Sequence, residues 1–418
     1  MIRHQTDSSK VLGLLRDNCP HWLNVVGNTE RIETLSEAAS DALTRLLASE
    51  VDDLSTFAVR EKRIQDLAHF DFSLNALAAE LLLEIHGVAS FDGDDQIEIP
   101  RFFKGAPNRN EVNGLVDVLN KKGYCPSPVS LTQQQIFDVF AVLGQCQYST
   151  KGHYPNTMTG KALLDALKNG SMPPVSDGDT YWLTDQDELV HNPLLAGLAF
   201  DPYIISVVSK YLGCAPVHVQ TNAWFSLPSA QFKSNLSSNA QMFHQDKEFV
   251  KFLKVFVYLT DVGMEQGPHS YIEGSHLDEL HRKGPGLSDR VADADIGKYY
   301  EPSRLKTVTG PAGMVLFGDT SCVHKGEPVR AGHRVMLQLE YASSLYLSPV
   351  KPFNDMSESQ LSLMPYGEAV AKCMTRNYSS DQRMAFERFE KLSGHVGLIG
   401  TMKSALRGIK SRISRKLA

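Results

Sequence analysis

Apolar residues recur at helical spacing through the first part of the chain, then switch to strict alternation near its middle. Ile32, Leu35, Ala39, Leu43, Leu46 and Leu47 share one face of a segment that Asn28 or Thr29 can cap. Leu74, Leu77, Leu81, Leu82 and Ile85 repeat the pattern up to Gly87, a natural helix stop. Residues from about 28 to 87 therefore read as helices with core-facing stripes. A polar, Gly- and Pro-containing stretch from Ser90 to Asn110 follows, and a helical N-terminal extension over residues 1–105 ends there. Further on, one helix-like segment ends in Lys121-Lys122-Gly123-Tyr124, and Leu131-Thr132-Gln133-Gln134 begins another. Asp201-Pro202-Tyr203 opens a helix carrying Ile204, Val207, Val208 and Tyr211, closed by Gly213. Beyond it Val217, Val219, Thr221, Ala223 and Phe225 alternate with His218, Gln220, Asn222 and Trp224, a strand with two unlike faces. Phe252–Leu259, Met314–Phe317 and Val335–Tyr341 are further strand candidates. Short strands between Gly/Pro turns, after a helical lead-in, predict a double-sheet β-barrel flanked by helices. This domain spans residues 112–350 and is followed by a C-terminal helical region, 351–418.

Composition narrows the class. The 418 residues, 42% apolar and 22% charged, fit an ordinary soluble protein of one large domain with an extension, or of two domains. A net charge of −6 gives the chain no bulk attraction to nucleic acid. The six cysteines (Cys19, Cys125, Cys146, Cys214, Cys322 and Cys373) lack CxxC spacing, which argues against a zinc ribbon or a disulfide scaffold and fits reduced thiols in a cytoplasm. The first residues lead into no long apolar run, so no signal peptide is expected, and no run of 18 apolar residues is present to span a membrane. The last 18 residues stand apart: they carry Lys403, Arg407, Lys410, Arg412, Arg415 and Lys416 without an acid. Met402, Leu406, Ile409, Ile413 and Leu417 fall at three- and four-residue steps, so this tail suits either an anionic membrane surface or a groove of the protein itself.

The chemistry concentrates in Phe243-His244-Gln245-Asp246. In a strand, residues i and i+2 share a face, so His244 and Asp246 present an imidazole and a carboxylate to one point. His324, 80 residues on, is the best third ligand. Two imidazoles and one carboxylate leave the positions open that Fe(II) oxygenases need for a bidentate 2-oxo acid and O2. Other histidines (His269, His276, His281 and His333) are alternatives that fit loop or surface roles. Arg334, ten residues past His324, suits the distal carboxylate of 2-oxoglutarate, with Arg330 as a rival at a turn. Gln220 and Asn222 share a strand face and either hydrogen-bond the cosubstrate or simply pack; Lys254 and Phe256 share a face of the next strand and either line the pocket or simply pack.

His-Gln-Asp is followed by Phe256-Val257-Tyr258-Leu259-Thr260-Asp261-Val262, then Gln266-Gly267-Pro268 and Gly274-Ser275-His276. With Lys122-Gly123-Tyr124 and Asn192-Pro193-Leu194-Leu195 upstream, and Gly313, His324 and Arg334 downstream, this order resembles the phytanoyl-CoA-dioxygenase-like family over roughly 112–345. The resemblance implies an α+β fold, a double-stranded β-helix (cupin-like jelly roll) flanked by helices. It also implies Fe(II) held by His244, Asp246 and His324, with 2-oxoglutarate and O2 as cosubstrates and an oxidative reaction, usually hydroxylation, of a small molecule. Glu273 stands where many members have Pro, and Phe256 where Trp is often seen. Related halogenases replace the metal carboxylate with a small residue; Asp246 fills that place, so halogenation is not expected. No feature commits the substrate to a CoA thioester. A jelly roll that only binds a ligand, and an iron enzyme that uses O2 without 2-oxoglutarate, are the readings from other classes; Arg334 discriminates against the second.

Overall fold

In a computed structural model, the described residues are 12–13 and 102–380, except 104, 106, 151–155, 172, 174–180, 229–239, 247, 250, 279–289, 344, 346–350, 362, 363, 365 and 367. The expected helices at 28–87 and the basic tail lie outside the described residues.

Local sequence sets the helix ends. α1 (Arg109–Lys122) begins with a capping box, in which the Asn108 side chain accepts from the Glu111 N–H and the Glu111 carboxylate accepts from the Asn108 N–H. It ends at Gly123, whose φ of 82° is left-handed. A Cβ at Gly123 would also collide with the Cys322 sulfur, so glycine there lets the chain leading to His324 pack under the helix end. After β1 (Tyr124–Ser130), α2 (Gln133–Leu143) starts with a second capping box made by Thr132 and Gln135. β2 (Gln147–Ser149), β3 (Thr157–Thr159), α3 (Gly160–Lys168), β4 (Tyr181–Thr184), α4 (Gln186–Val190) and α5 (Pro193–Ala199) follow. α6 (Pro202–Leu212) has Asp201 as its cap, Pro202 in its first turn and left-handed Gly213 at its end, as the sequence predicts. Nearly all of α6 is buried, because it packs on α1 and on the sheet.

The remaining strands are β5 (Val217–Ser226), β6 (Phe252–Tyr258), β7 (His269–Ile272), β8 (Leu305–Val308), β9 (Met314–Gly318), β10 (His324–Gly326) and β11 (Arg334–Ala342). They form two antiparallel sheets, ordered β1-β9-β6-β11-β5-β4-β2-β3 and β10-β7-β8. Leu253, Val255 and Val257 of β6, with Leu337 and Leu339 of β11, join the helices in the main core. Phe256, Tyr258 and Met336 face the other way and pack with Tyr271 of the small sheet. The large sheet is thus covered by helices outside and by the small sheet inside, a double-stranded β-helix flanked by helices. Among the described residues no single helix is long and apolar enough to cross a membrane.

One face assignment changes. Glu340 pairs with Gln220 but Tyr341 pairs with His218, so β5 carries an extra residue at a bulge. His218 is thereby moved off the face of Gln220, Asn222 and Trp224. It is fully buried, its Nδ1 is 2.6 Å from the Tyr378 hydroxyl, and it stacks on Phe353.

Candidate metal centre and cavity

The two imidazoles meet because two short segments pair. His244 and His324 exchange backbone hydrogen bonds, each of 2.9 Å, in an isolated antiparallel bridge rather than within a regular strand through His244. Asp246 N–H then donates to Thr320 O (2.9 Å), and the Gln245 amide donates to Ser321 O (2.6 Å). The 319–323 turn is itself fixed: Asp319 accepts from the Ser321 N–H at 2.8 Å and from the Tyr211 hydroxyl, and Ser275 Oγ accepts from Val323 N–H at 2.7 Å. Ser275 belongs to the Gly-Ser-His block, so that motif holds the chain just before the second imidazole.

Each ring is oriented by its own backbone. His244 Nδ1 lies 2.8 Å from Met242 O, and His324 Nδ1 lies 2.9 Å from Cys322 O. A carbonyl only accepts, so Nδ1 carries the proton and both Nε2 atoms present lone pairs. These Nε2 atoms sit 3.5 and 3.6 Å from the Asp246 carboxylate oxygens. One ligand atom from each of the three residues lies within 4.8 Å of the others. Burial lowers both imidazole pKa values, that of His324 to about 3, so both are neutral at ordinary pH. Burial alone would raise the Asp246 pKa, but the Lys254 ammonium beside it outweighs burial and holds the carboxylate ionised. Neutral imidazoles and an ionised carboxylate form the donor set that a divalent transition metal takes.

The surroundings fit a cation as well. Lys254, buried mid-strand in β6, is 2.8 Å from Asp246, 3.4 Å from Glu248 and 3.7 Å from Glu340. Burial opposes its charge, yet the three acids raise its pKa above the ordinary lysine range. One ammonium faces three acids, and they do not all ionise: burial, against the pull of Lys254, pushes the Glu340 pKa up to about 8, so near neutral pH Glu340 is mostly protonated while Asp246 is ionised. Lys254 and Glu340 are direct cross-strand partners. Sequence inspection places Lys254 near the pocket but misses this cluster, although single charges inside FLKVFVY and RVMLQLEYA mark it.

A cavity of about 400 Å³ opens over the triad, lined by residues of both sheets. Arg334 reaches it from the first residue of β11; its guanidinium donates to Gly267 O and to Ser226 Oγ (3.2 Å), and its Nε has no partner among the described residues. No carboxylate of the described residues pairs with it, so a buried guanidinium stands ready for an anion. Arg330 is 65% exposed and lies 3.9 Å from Glu265, a solvent-facing pair. Gln220 and Asn222 both line the cavity, with Gln220 held by the Gln338 amide at 2.5 Å, and Lys254 and Phe256 line it too.

The rival histidines lie outside the cluster, and His269 is buried in β7 rather than in a loop or at the surface. His276 is spoken for by Cys322 Sγ and Asn120 O, both at 3.0 Å. His269 lines the cavity but lies outside the three-residue cluster and is 3.2 Å from the Tyr258 hydroxyl. His333 is half-buried at a turn, and His281 lies outside the described residues.

A family description, phytanoyl-CoA dioxygenase (PhyH), matches residues 161–336, a span that contains His244, Asp246, His324 and Arg334. Among solved structures, the chain is similar to the non-heme alpha-ketoglutarate-dependent carbocyclase SnoK from nogalamycin biosynthesis, with 19% identity, a TM-score of 0.39, and 58% of this chain and 87% of that one covered. It is also similar to HygX from Streptomyces hygroscopicus with nickel and 2-oxoglutarate bound, with 14% identity, a TM-score of 0.37, and 57% and 87% covered. AviO1 from Streptomyces viridochromogenes Tue57 has 14% identity, a TM-score of 0.37, and 56% and 96% covered. No curated protein matches the chain.

Proposed function

We propose, from the match of residues 161–336 to the phytanoyl-CoA dioxygenase (PhyH) family description, an Fe(II)- and 2-oxoglutarate-dependent oxygenase that hydroxylates a small molecule. One observation carries this reading: a buried guanidinium without a carboxylate partner among the described residues shares one cavity with a His-Asp-His cluster. His244, Asp246 and His324 would hold iron through two Nε2 atoms and one carboxylate, and Arg334 with Ser226 would take the far carboxylate of 2-oxoglutarate. When bound, iron with 2-oxoglutarate and O2 supplies the oxidising power to attack a C–H bond, releasing succinate and CO2.

The chain's own residues set the conditions. The Nδ1–H bonds to Met242 O and Cys322 O fix both rings before any ligand arrives. Lys254 keeps Asp246 ionised and holds one of its oxygens at 2.8 Å. Phe256 and Trp224 supply apolar wall, while Gln220, Asn222 and Gln338 offer amides that suit polar groups of a cosubstrate or substrate. With Asp246 in place, the coordination position that a halide would need is filled, which supports hydroxylation over halogenation. A jelly roll that merely binds a ligand would leave both Nε2 lone pairs and the buried Arg334 without a role.

The test is anaerobic titration with Fe(II) and 2-oxoglutarate. A weak visible charge-transfer band that needs both components is expected. Its absence, with iron bound, would favour an iron enzyme that does not use 2-oxoglutarate. Contact of the basic tail with anionic membranes rests on the sequence, and vesicle sedimentation that is lost on deleting residues 400–418 is its test.

A further inference from the structure

A third cation faces the cavity, and neither the metal cluster nor the cosubstrate anchor uses it. Phe243 and Val291 form an antiparallel bridge, exchanging backbone bonds of 3.0 and 2.8 Å. The next pair along the two segments is therefore His244 opposite Arg290. Directly opposed residues of an antiparallel pair point to the same face with their Cβ atoms close together. His244 also pairs with His324, and His324 with Tyr271. The inner face of the small sheet thus carries the row Arg290, His244, His324, Tyr271, with Arg290 flanking the metal position on the side away from His324.

Arg290 lines the cavity, and its Nη1 is buried with no hydrogen-bond partner among the described residues. The acids of the cavity are engaged elsewhere. Asp246 and Glu248 pair with Lys254, and Glu327 pairs with Lys325 at 2.8 Å and with Ser270 at 2.7 Å. Arg334 and Arg290 also enter from different sheets, so the anion held by one leaves the other available. A guanidinium that is partly desolvated and unpaired is costly to keep, and a planar, forked donor matches a carboxylate or a phosphate.

We propose that Arg290 docks an anionic group, carboxylate or phosphate, of the molecule that is oxidised, and so selects acids over their neutral counterparts. This rests on the oxygenase reading for the word substrate, but the anion site itself does not. Gln220 and Gln338 of the large sheet line the same cavity and offer amides to the remainder of the molecule.

The experiment uses the full chain loaded with Ni(II) and 2-oxoglutarate, titrated calorimetrically with matched probes: phenylacetate against phenylacetamide, and glucose 6-phosphate against glucose. At least one acid is expected to bind about 10- to 100-fold more tightly than its neutral partner, the size of a charge-assisted hydrogen-bonded pair. Which acid wins distinguishes carboxylate from phosphate. Arg290→Gln should remove that preference and leave 2-oxoglutarate affinity and the melting temperature unchanged, while Arg290→Lys should restore part of it. Acids bound no better than their neutral partners, or bound equally by Arg290→Gln, would overturn the proposal. So would a loss confined to 2-oxoglutarate, which would assign Arg290 to the cosubstrate. Failure of the wild type to take up Ni(II) and 2-oxoglutarate would sink the oxygenase reading alone, since the same titrations of metal-free protein still decide the role of Arg290.

Discussion

Two strands of the large sheet that line the cavity, β6 and β11, are long and buried along their whole length. Those of the small sheet have three or four residues and continue only as single bridges through His244 and Val291. Yet the small sheet brings the two imidazoles together, whereas the large sheet supplies Arg334 and Lys254. Long ladders give a platform whose charges are locked by cross-strand neighbours. Short bridges join two chain segments where no continuous ladder runs, and bonds to the turn residues Thr320 and Ser321 help hold them. Function requiring convergence sits on the irregular sheet; function requiring a fixed, buried charge sits on the regular one.

The sharpest way to break this comparison is to remove the convergent side chains. His244→Ala, Asp246→Ala and His324→Ala should each abolish turnover and sharply lower iron per chain. His244→Ala and His324→Ala should melt near wild type, while Asp246→Ala, which takes the nearest partner from the buried Lys254, should remain folded but melt lower. Wild-type succinate production by any of the three would show that the cluster is not the metal site.

Arg334→Ala probes the platform instead. A charge-assisted pair to a buried carboxylate is worth about 2–4 kcal/mol when truncated, so the 2-oxoglutarate requirement should rise roughly 30- to 1,000-fold while iron still binds. Arg330→Ala should change neither quantity, and a larger effect there would move the anchor to the exposed turn.

Much of this division is legible in the sequence. The His-Gln-Asp tripeptide, the distant His324 and Arg334 stand out because their residue types and order carry the chemistry. The long strands show as apolar runs, and α6 shows through its Asp-Pro start and Gly end. β2, β3, β4, β7, β8 and β10 are too short to display a period, so they escape notice. The side of the sheet taken by His218 depends on a bulge set by the β11 register, which no local pattern in β5 records. Arg290 is equally silent, since its direction comes from the single bridge between its neighbour Val291 and the distant Phe243.

Lys254→Met separates stability from chemistry. Removing the ammonium leaves Asp246, Glu248 and Glu340 facing one another, and breaking a buried pair costs about 3–5 kcal/mol. A lowered melting temperature is expected, partly recovered by adding divalent metal, which supplies the missing positive charge. The double variant Lys254→Met, Glu340→Gln should be less destabilised than the sum of the two single ones. Strict additivity would mean that the pair is not coupled.

The smallest expected effect is a slope with pH, and it isolates Glu340. Burial raises its pKa from 4.5 to about 8 in the folded chain. Below about 4.5 the carboxyl is protonated folded or unfolded, and its contribution to stability is fully present. Between about 4.5 and 8 the folded chain holds a proton that the unfolded chain has lost, so stability falls as pH rises and levels off above about 8. His324 and His218, whose folded pKa values lie near 3, act in the opposite sense from about 3 to 6.5, where stability is lost as pH falls. Measurements from about pH 6.5 to 8 on chelator-treated protein therefore catch Glu340 with little interference from them. Denaturant unfolding of the wild type should lose at most about 1.4 kcal/mol per pH unit over this range relative to Glu340→Gln, which has no proton to lose. Metal should flatten the wild-type slope, because a nearby divalent cation lowers the pKa of Glu340. Parallel slopes for wild type and variant would show that the Glu340 carboxyl is already ionised beside Lys254 throughout this range, and that burial does not hold a proton on it.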